Sequence, residues 1–346
     1  MSNFSLLSNI GWQSFFQQQL SLEEWESAIV ARVVEQHRSE ITVTTDTSTM
    51  NIPITHSMPS VVVGDWILLD PEMKLLRILE RKTCFQRKAP GSKVKHQLIS
   101  ANIDTAFIVC SMNEDFSLNR IERFLALVNE AGAEPVIVLS KSDLSGSPED
   151  FINDVRKLDH HLMVEAANCL DLESVSKLQP WLAPGNTIGV LGSSGVGKST
   201  LINTLLGAEQ QSTGSIREDD AKGRHTTTRR SLIALSSGAM ILDTPGMREI
   251  QLADAKEGIA ATFADIEELA QNCRYADCQH NGEPGCAVRA AIDSGTLDER
   301  RLNNYHKLLR EEAINSATLK EKRDKDKALG KFYKRTLDES YKLKGR

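Results

Sequence analysis

Gly192-Ser193-Ser194-Gly195-Val196-Gly197-Lys198-Ser199-Thr200 sets a glycine, four residues and then Gly-Lys-Ser between an apolar run and a helical pattern. Glycines let the backbone turn tightly, so successive N–H groups can point at phosphates at the start of a helix. Lys198 would reach the β- and γ-phosphates, and the Ser199 hydroxyl would hold Mg²⁺. About 45 residues later, Asp243-Thr244-Pro245-Gly246 ends another apolar run. Asp243 suits a Mg²⁺-linked acid, and the Gly246 N–H could sense a γ-phosphate. A switch threonine must lie between these loops. Thr227 and Thr228 in Gly223-Arg224-His225-Thr226-Thr227-Thr228 are the candidates, and Thr228 is preferred.

An earlier loop, Ser140-Lys141-Ser142-Asp143, follows the apolar run Glu134 to Leu139. Asp143 can accept from guanine N1–H and from the exocyclic amine, while Lys141 lies along the ring. A buried acceptor left unpaired is costly, so such a site can reject adenine. The base reader thus precedes the phosphate loop, the reverse of the usual GTPase order. A sheet does not depend on chain order if the same strands meet, so the pattern reads as a circular permutation. Position 247 is Met, where Ras-like enzymes use a water-positioning Gln. A thioether cannot orient water, so unaided hydrolysis should be slow.

Cys273, Cys278, His280 and Cys286 fall within 14 residues. Three thiolates and an imidazole suit a closed tetrahedral Zn²⁺ site of structural role. The other cysteines, Cys84, Cys110 and Cys169, are scattered and read as plain buried thiols.

These loops need a frame. From about residue 102, apolar runs alternate with amphipathic helical patterns, which predicts a parallel sheet covered on both faces. Before it, residues 25 to 85 show short alternating runs ("AIVARVV", "ITVTTD", "VVVGDWILLD", "LLRILER") split by turn residues, as in a five-stranded barrel of the OB kind. Phe4, Leu7, Trp12, Phe15 and Phe16 should dock the N-terminal segment on the body. Residues 81–100 carry six Lys and Arg and no acid, and read as a linker or a nucleic-acid contact. The expected organisation is a barrel unit with basic linker (1–100), a permuted GTPase domain (101–255) and a helical zinc-binding domain with a basic tail (256–346).

The 346-residue chain carries a net charge of −6, with +7 concentrated in residues 301–346 and −13 in the rest. An acidic body with a basic end suits an anionic partner touched locally, not a general nucleic-acid coat. No run approaches the roughly 18 apolar residues that span a membrane. The N-terminus lacks the pattern of a signal peptide, and a disulfide framework is not expected. The expected setting is cytoplasmic.

"SKSD", "GSSGVGKST", "GRHTTT", "DTPG" and "CRYADCQHNGEPGCAV", in that order, resemble the RsgA/YjeQ family of circularly permuted GTPases. The similarity runs from about residue 25 to 315. It implies an OB domain, a permuted GTPase domain and a zinc-binding domain that dock on small ribosomal subunit RNA. It also implies slow GTP hydrolysis raised by that subunit, in a monomer. His225 would assist hydrolysis in place of the missing Gln. The chain departs from the family at Ser140, where Asn is usual, and at Glu165 in "VEAAN", where a small Ser is usual. An RNA-binding scaffold with a slow nucleotide site, and a P-loop ATPase, are the alternatives.

Overall fold

The computed structural model describes residues 4–88, 96–207, 230–243, 252 and 254–316. Thirteen strands are present among them. β1 (Ile29–Gln36), β2 (Glu40–Thr44), β3 (Thr49–Pro53), β4 (Trp66–Leu69) and β5 (Leu75–Ile78) belong to the N-terminal part. β6 (Cys84–Lys88) and β7 (His96–Ala101) form a separate antiparallel pair. β8 (Thr105–Ser111), β9 (Glu134–Ser140), β10 (Met163–Ala167), β11 (Thr187–Leu191), β12 (Arg230–Ala234) and β13 (Met240–Asp243) follow.

The sheet order is β10-β9-β8-β11-β13-β12-β1-β2-β3, with β4 on β1 and β5 on β4. β10, β9, β8, β11 and β13 are parallel. Their residues are apolar on both faces because helices and loops cover both: β8 and β11 are buried along their whole length. Parallel pairing puts the C-terminal ends of all five strands on one edge, and open α/β sheets bind ligands along that edge. Ser111, Ser140, Ala167, Leu191 and Asp243 end there. The permuted chain order is accommodated because β9 and β11 flank β8 whichever comes first.

The N-terminal strands pair antiparallel in the order β3-β2-β1-β4-β5. Alternate residues feed two cores. Ala31, Val33, Ile67 and Leu69 pack with Ile41, Val43 and Ile52. Val30, Trp66 and Leu68 face the N-terminal segment through Leu7, Trp12 and Phe16. Leu7, Trp12 and Phe16 dock that segment as expected, Phe15 remains exposed, and the Phe4 side chain lies outside the described residues. β3 and β5 are not paired among the described residues, so the pairing that closes an OB barrel is not seen. β1 outruns β4 and pairs with β12 at Glu35↔Ser231 and Gln36↔Arg230, which fuses the two parts into one sheet.

Within the basic stretch 81–100, read as a linker or a nucleic-acid contact, Cys84–Lys88 and His96–Ala101 pair antiparallel as β6 and β7. Phe85, Ile99 and Ala101 bury its inner face. Arg32, 1 % exposed, stands where three segments meet. It donates to the Ile10 carbonyl, to the Asn102 carbonyl (3.2 Å) and to Thr187 Oγ1 (2.8 Å). Burial pushes its guanidinium down to about 10, opposed by Asp104 and Asp65.

Beyond the sheet, the helix Lys256–Thr262 lies against the helix Leu118–Ala131, so close at Gly258 that a Cβ would stand 2.1 Å from the Ala126 carbonyl oxygen. The helix Glu299–Ser316 joins them through Glu122, which is fully buried. Arg300 (2.9 and 3.0 Å), Arg301 (2.8 Å) and Asn304 all donate to that carboxylate. A buried charge is tolerable only when its oxygens are satisfied in this way.

Candidate nucleotide site and metal cluster

β11 runs into the glycine-rich loop, and the helix Lys198–Leu206 leaves it. Gly192 sits at φ +143°, and a Cβ there would stand 2.3 Å from the Val109 carbonyl oxygen on β8. Only glycine allows the loop to pass that close to its neighbour strand. Gly197 caps the helix at φ +95°. Lys198, 7 % exposed, donates to the Gly192 carbonyl (2.7 Å) and the Ser193 carbonyl, which holds its ammonium within the curve of the loop. Ser194 and Gly195 form the exposed tip, Val196 is buried beneath them, and Ser199 and Thr200 are half-buried in the first helical turn.

β9 delivers Ser140 to the same edge. Its side chain is fully buried, and its hydroxyl lies 2.5 Å from the Val196 carbonyl and 3.2 Å from the Cys110 carbonyl. The loop Ser140–Asp143 is thereby tied to the glycine-rich loop across β8. Lys141 turns the chain at φ +61°, and the short 3₁₀ turn Ser142–Leu144 follows. Asp143 is exposed to the solvent at this edge.

The loop after β10 lies beside this one, and the strand register differs from the resemblance that sets Glu165 at the position of the family's small Ser. Glu165 pairs with Val138, whereas Ala167 pairs with Ser140. The residues emerging beside Ser140–Asp143 are therefore Asn168, Cys169 and Leu170, and Glu165 stays in the strand. Burial, followed by the Asp143 carboxylate, pushes the Cys169 thiol up to about 11. Asn168 N–H donates to Ser174 Oγ (2.8 Å), Leu170 N–H to Asn168 Oδ1 (3.0 Å), and Thr204 Oγ1 to the Cys169 carbonyl (2.6 Å). Thr204 went unnoticed in the sequence because a threonine inside a helix carries no motif.

The backbone of Asp243 ends β13, adjacent to β11. Thr227, Thr228, His225, Gly246 and Met247 lie outside the described residues.

The second cluster is separate. The ligand atoms of Cys273, Cys278, His280 and Cys286 lie within 4.8 Å of one another and could hold a metal ion. His280 Nδ1 is 3.6, 3.6 and 3.4 Å from the three sulfurs in turn. Cys286 caps the helix Ala287–Asp293 and accepts from the Arg289 N–H (3.4 Å). Burial acts to raise the Cys273 thiol, but the Ala287 and Val288 N–H groups of that helix start outweigh it, and its pKa is lowered. His306 of the long C-terminal helix stacks on His280 with centroids 6.4 Å apart.

The model of the RsgA GTPase family matches residues 78–253. The chain is 55% identical over 338 residues to "Small ribosomal subunit biogenesis GTPase RsgA 2" of Vibrio vulnificus, covering 98% of this chain and 97% of that protein. It is 47% identical to "Small ribosomal subunit biogenesis GTPase RsgA" of Xylella fastidiosa (strain 9a5c), covering 83% and 86%. Among solved structures, YjeQ from Thermotoga maritima aligns with a TM-score of 0.59 at 25% identity, covering 82% of this chain and 98% of that one. YloQ, described as a circularly permuted GTPase, shares the fold with a TM-score of 0.60 at 23% identity, covering 86% and 99%.

Proposed function

The chain belongs to the RsgA GTPase family, and on that premise we propose that it assists maturation of the small ribosomal subunit, hydrolysing GTP to GDP and phosphate when bound there. The observation that carries the reading is the tie between Ser140 and Val196, which makes one unit of a guanine reader and a phosphate cradle. It is joined by near full-length similarity to relatives named for that role.

In this reading Asp143 and Lys141 select the base, with Ser142 shaping the turn. The N–H groups of residues 192–200 and the Lys198 ammonium bind the phosphates. A nucleotide-borne Mg²⁺ would supply positive charge against the charge developing on the phosphates. Ser199 and Thr228 would hold it, with Asp243 behind. Gly246 would sense the γ-phosphate, and His225 would orient the attacking water, since residue 247 is Met. GTP orders the Thr228 loop and hydrolysis releases it, which links nucleotide state to affinity for the subunit.

Zinc is the proposed ion of the second cluster. Zn–S of about 2.3 Å and Zn–N of about 2.0–2.1 Å put tetrahedral neighbours about 3.6 Å apart from sulfur to nitrogen. The observed 3.4–3.6 Å supports that geometry. All four positions are protein ligands, so the ion would serve as a structural staple. The N-terminal strands are proposed as an OB-type barrel gripping RNA backbone, in a cytoplasmic monomer with the three-part organisation expected from the sequence.

Co-sedimentation with small subunits in a non-hydrolysable GTP analogue and in GDP tests the proposal. Binding that is several-fold stronger with the analogue supports it. Equal binding in both favours a scaffold whose nucleotide is a passive occupant.

A further inference from the structure

Guanine differs from adenine at two places on its edge. Asp143 answers one of them, the N1–H and exocyclic amine. The other is position 6, where guanine carries an acceptor and adenine a donor. A protein donor there would add a second, independent discrimination.

The loop beside Asp143 holds a candidate. Cys169 is 5 % exposed. Its neighbours' amides are used: Asn168 N–H by Ser174 Oγ and Leu170 N–H by Asn168 Oδ1. Among the described residues, the Cys169 N–H donates to no protein group. Buried amides are nearly always paired, and one left over next to a ligand edge points to the ligand. The strand register agrees, because β10 emerges at Ala167 opposite Ser140.

Thr204 holds this amide in position. It stands six residues after Lys198 on the helix that begins at the phosphate loop. Its hydroxyl donates to the carbonyl of Cys169 itself at 2.6 Å. A carbonyl held by its helix partner fixes the peptide plane that follows and restrains the plane before it. Ser140 makes the corresponding tie in the other direction, to Val196. The base edge and the phosphate cradle are therefore cross-linked twice, once from each side.

We propose that Thr204 is a positioning residue for purine specificity, holding the loop at Asn168, Cys169 and Leu170 so that the Cys169 N–H faces the 6-position of the base; this rests on Ser140 to Asp143 being the guanine-reading loop. Thr204 touches neither base nor phosphate and acts through Cys169.

The test uses the full chain and three diphosphates, so that hydrolysis does not intervene. GDP carries both edge features. Inosine diphosphate keeps the 6-oxygen and lacks the amine. 2-Aminopurine riboside diphosphate keeps the amine and lacks the oxygen. Thr204→Val should weaken GDP and inosine diphosphate by about 5-fold each, the size of one neutral hydrogen bond. It should leave 2-aminopurine riboside diphosphate nearly unchanged, so that only the preference for the 6-oxygen falls. Thr204→Ser, which keeps the hydroxyl, should restore it. An equal loss for all three ligands, or a lower melting temperature with unchanged ratios, overturns the proposal and leaves Thr204 a structural residue. Asp143→Ala is the control for the underlying assignment. It must collapse the preference of GDP over inosine diphosphate. If it does not, the guanine loop is misassigned and the inference fails with it; if it does while Thr204→Val moves no ratio, only the Thr204 inference fails.

Discussion

The Ser140 hydroxyl meets the Val196 carbonyl at 2.5 Å, joining the end of β9 to the phosphate loop across the intervening β8. A serine hydroxyl thus supplies the tether. Ser140→Ala would leave the buried Val196 carbonyl without this donor, a loss of about 1–3 kcal/mol. GTP and GDP affinity should both fall by about 5-fold or more, measured by titration with a fluorescent analogue. Unchanged affinity would mean that the tie is incidental.

Lys198 should be required for turnover. It is buried, and its donors are directed at the Gly192 and Ser193 carbonyls. Lys198→Ala should lower subunit-stimulated GTP hydrolysis by at least about 100-fold, since phosphoryl transfer depends on charge placed at the phosphates. Near-normal stimulated turnover rejects the role.

The metal cluster is testable on its own. Elemental analysis should find about one zinc per chain, the content of a closed four-ligand site. Cys278→Ser should lose it, and chelation should lower the melting temperature of the whole chain, because the cluster feeds the helix that carries His306. A folded protein with no metal would sink the assignment.

Glu122 should be the costliest charge to remove. Arg300, Arg301 and Asn304 converge on it from the C-terminal helix. Glu122→Ala leaves two arginines facing a buried gap and should destabilise by about 3–5 kcal/mol in urea unfolding. A change below about 1 kcal/mol, the scale of an exposed pair, would show that the cluster is solvated.

Burial pushes the Cys110 thiol to about 12, against the opposing pull of Arg120 and Lys198, and Cys169 to about 11. Both folded values lie above the ordinary 9.0. Their stabilising contribution is therefore complete below pH about 9 and is lost as pH rises towards 11–12. At pH 8 both thiols stay protonated and should resist iodoacetamide in the native protein, then react on unfolding. Mass spectrometry showing rapid native labelling at either site would contradict the burial.

Local chemistry was legible in the sequence, and long-range geometry was not. The glycine loop, Ser140 to Asp143 and the Cys/His cluster announce themselves because each function needs several residue types at fixed short spacing. β3 did not, since Thr49–Pro53 is short, mostly exposed and ends in proline. The pairing of β6 with β7 was hidden because the charges of this stretch mask the buried Phe85, Ile99 and Ala101. Glu165 matches the family's small Ser by sequence, whereas its register with Val138 places it in the strand. Thr204 and Glu122 gain their meaning from partners 35 and about 180 positions away, a relation no spacing rule encodes.

The central claim is that this GTPase is completed by the small ribosomal subunit. GTP hydrolysis by the purified chain should be measured alone, with small subunits and with large subunits. The account predicts slow turnover alone, because Met247 cannot orient water, and a large stimulation by small subunits only. Equal rates in all three conditions, with RNA binding intact, would contradict it.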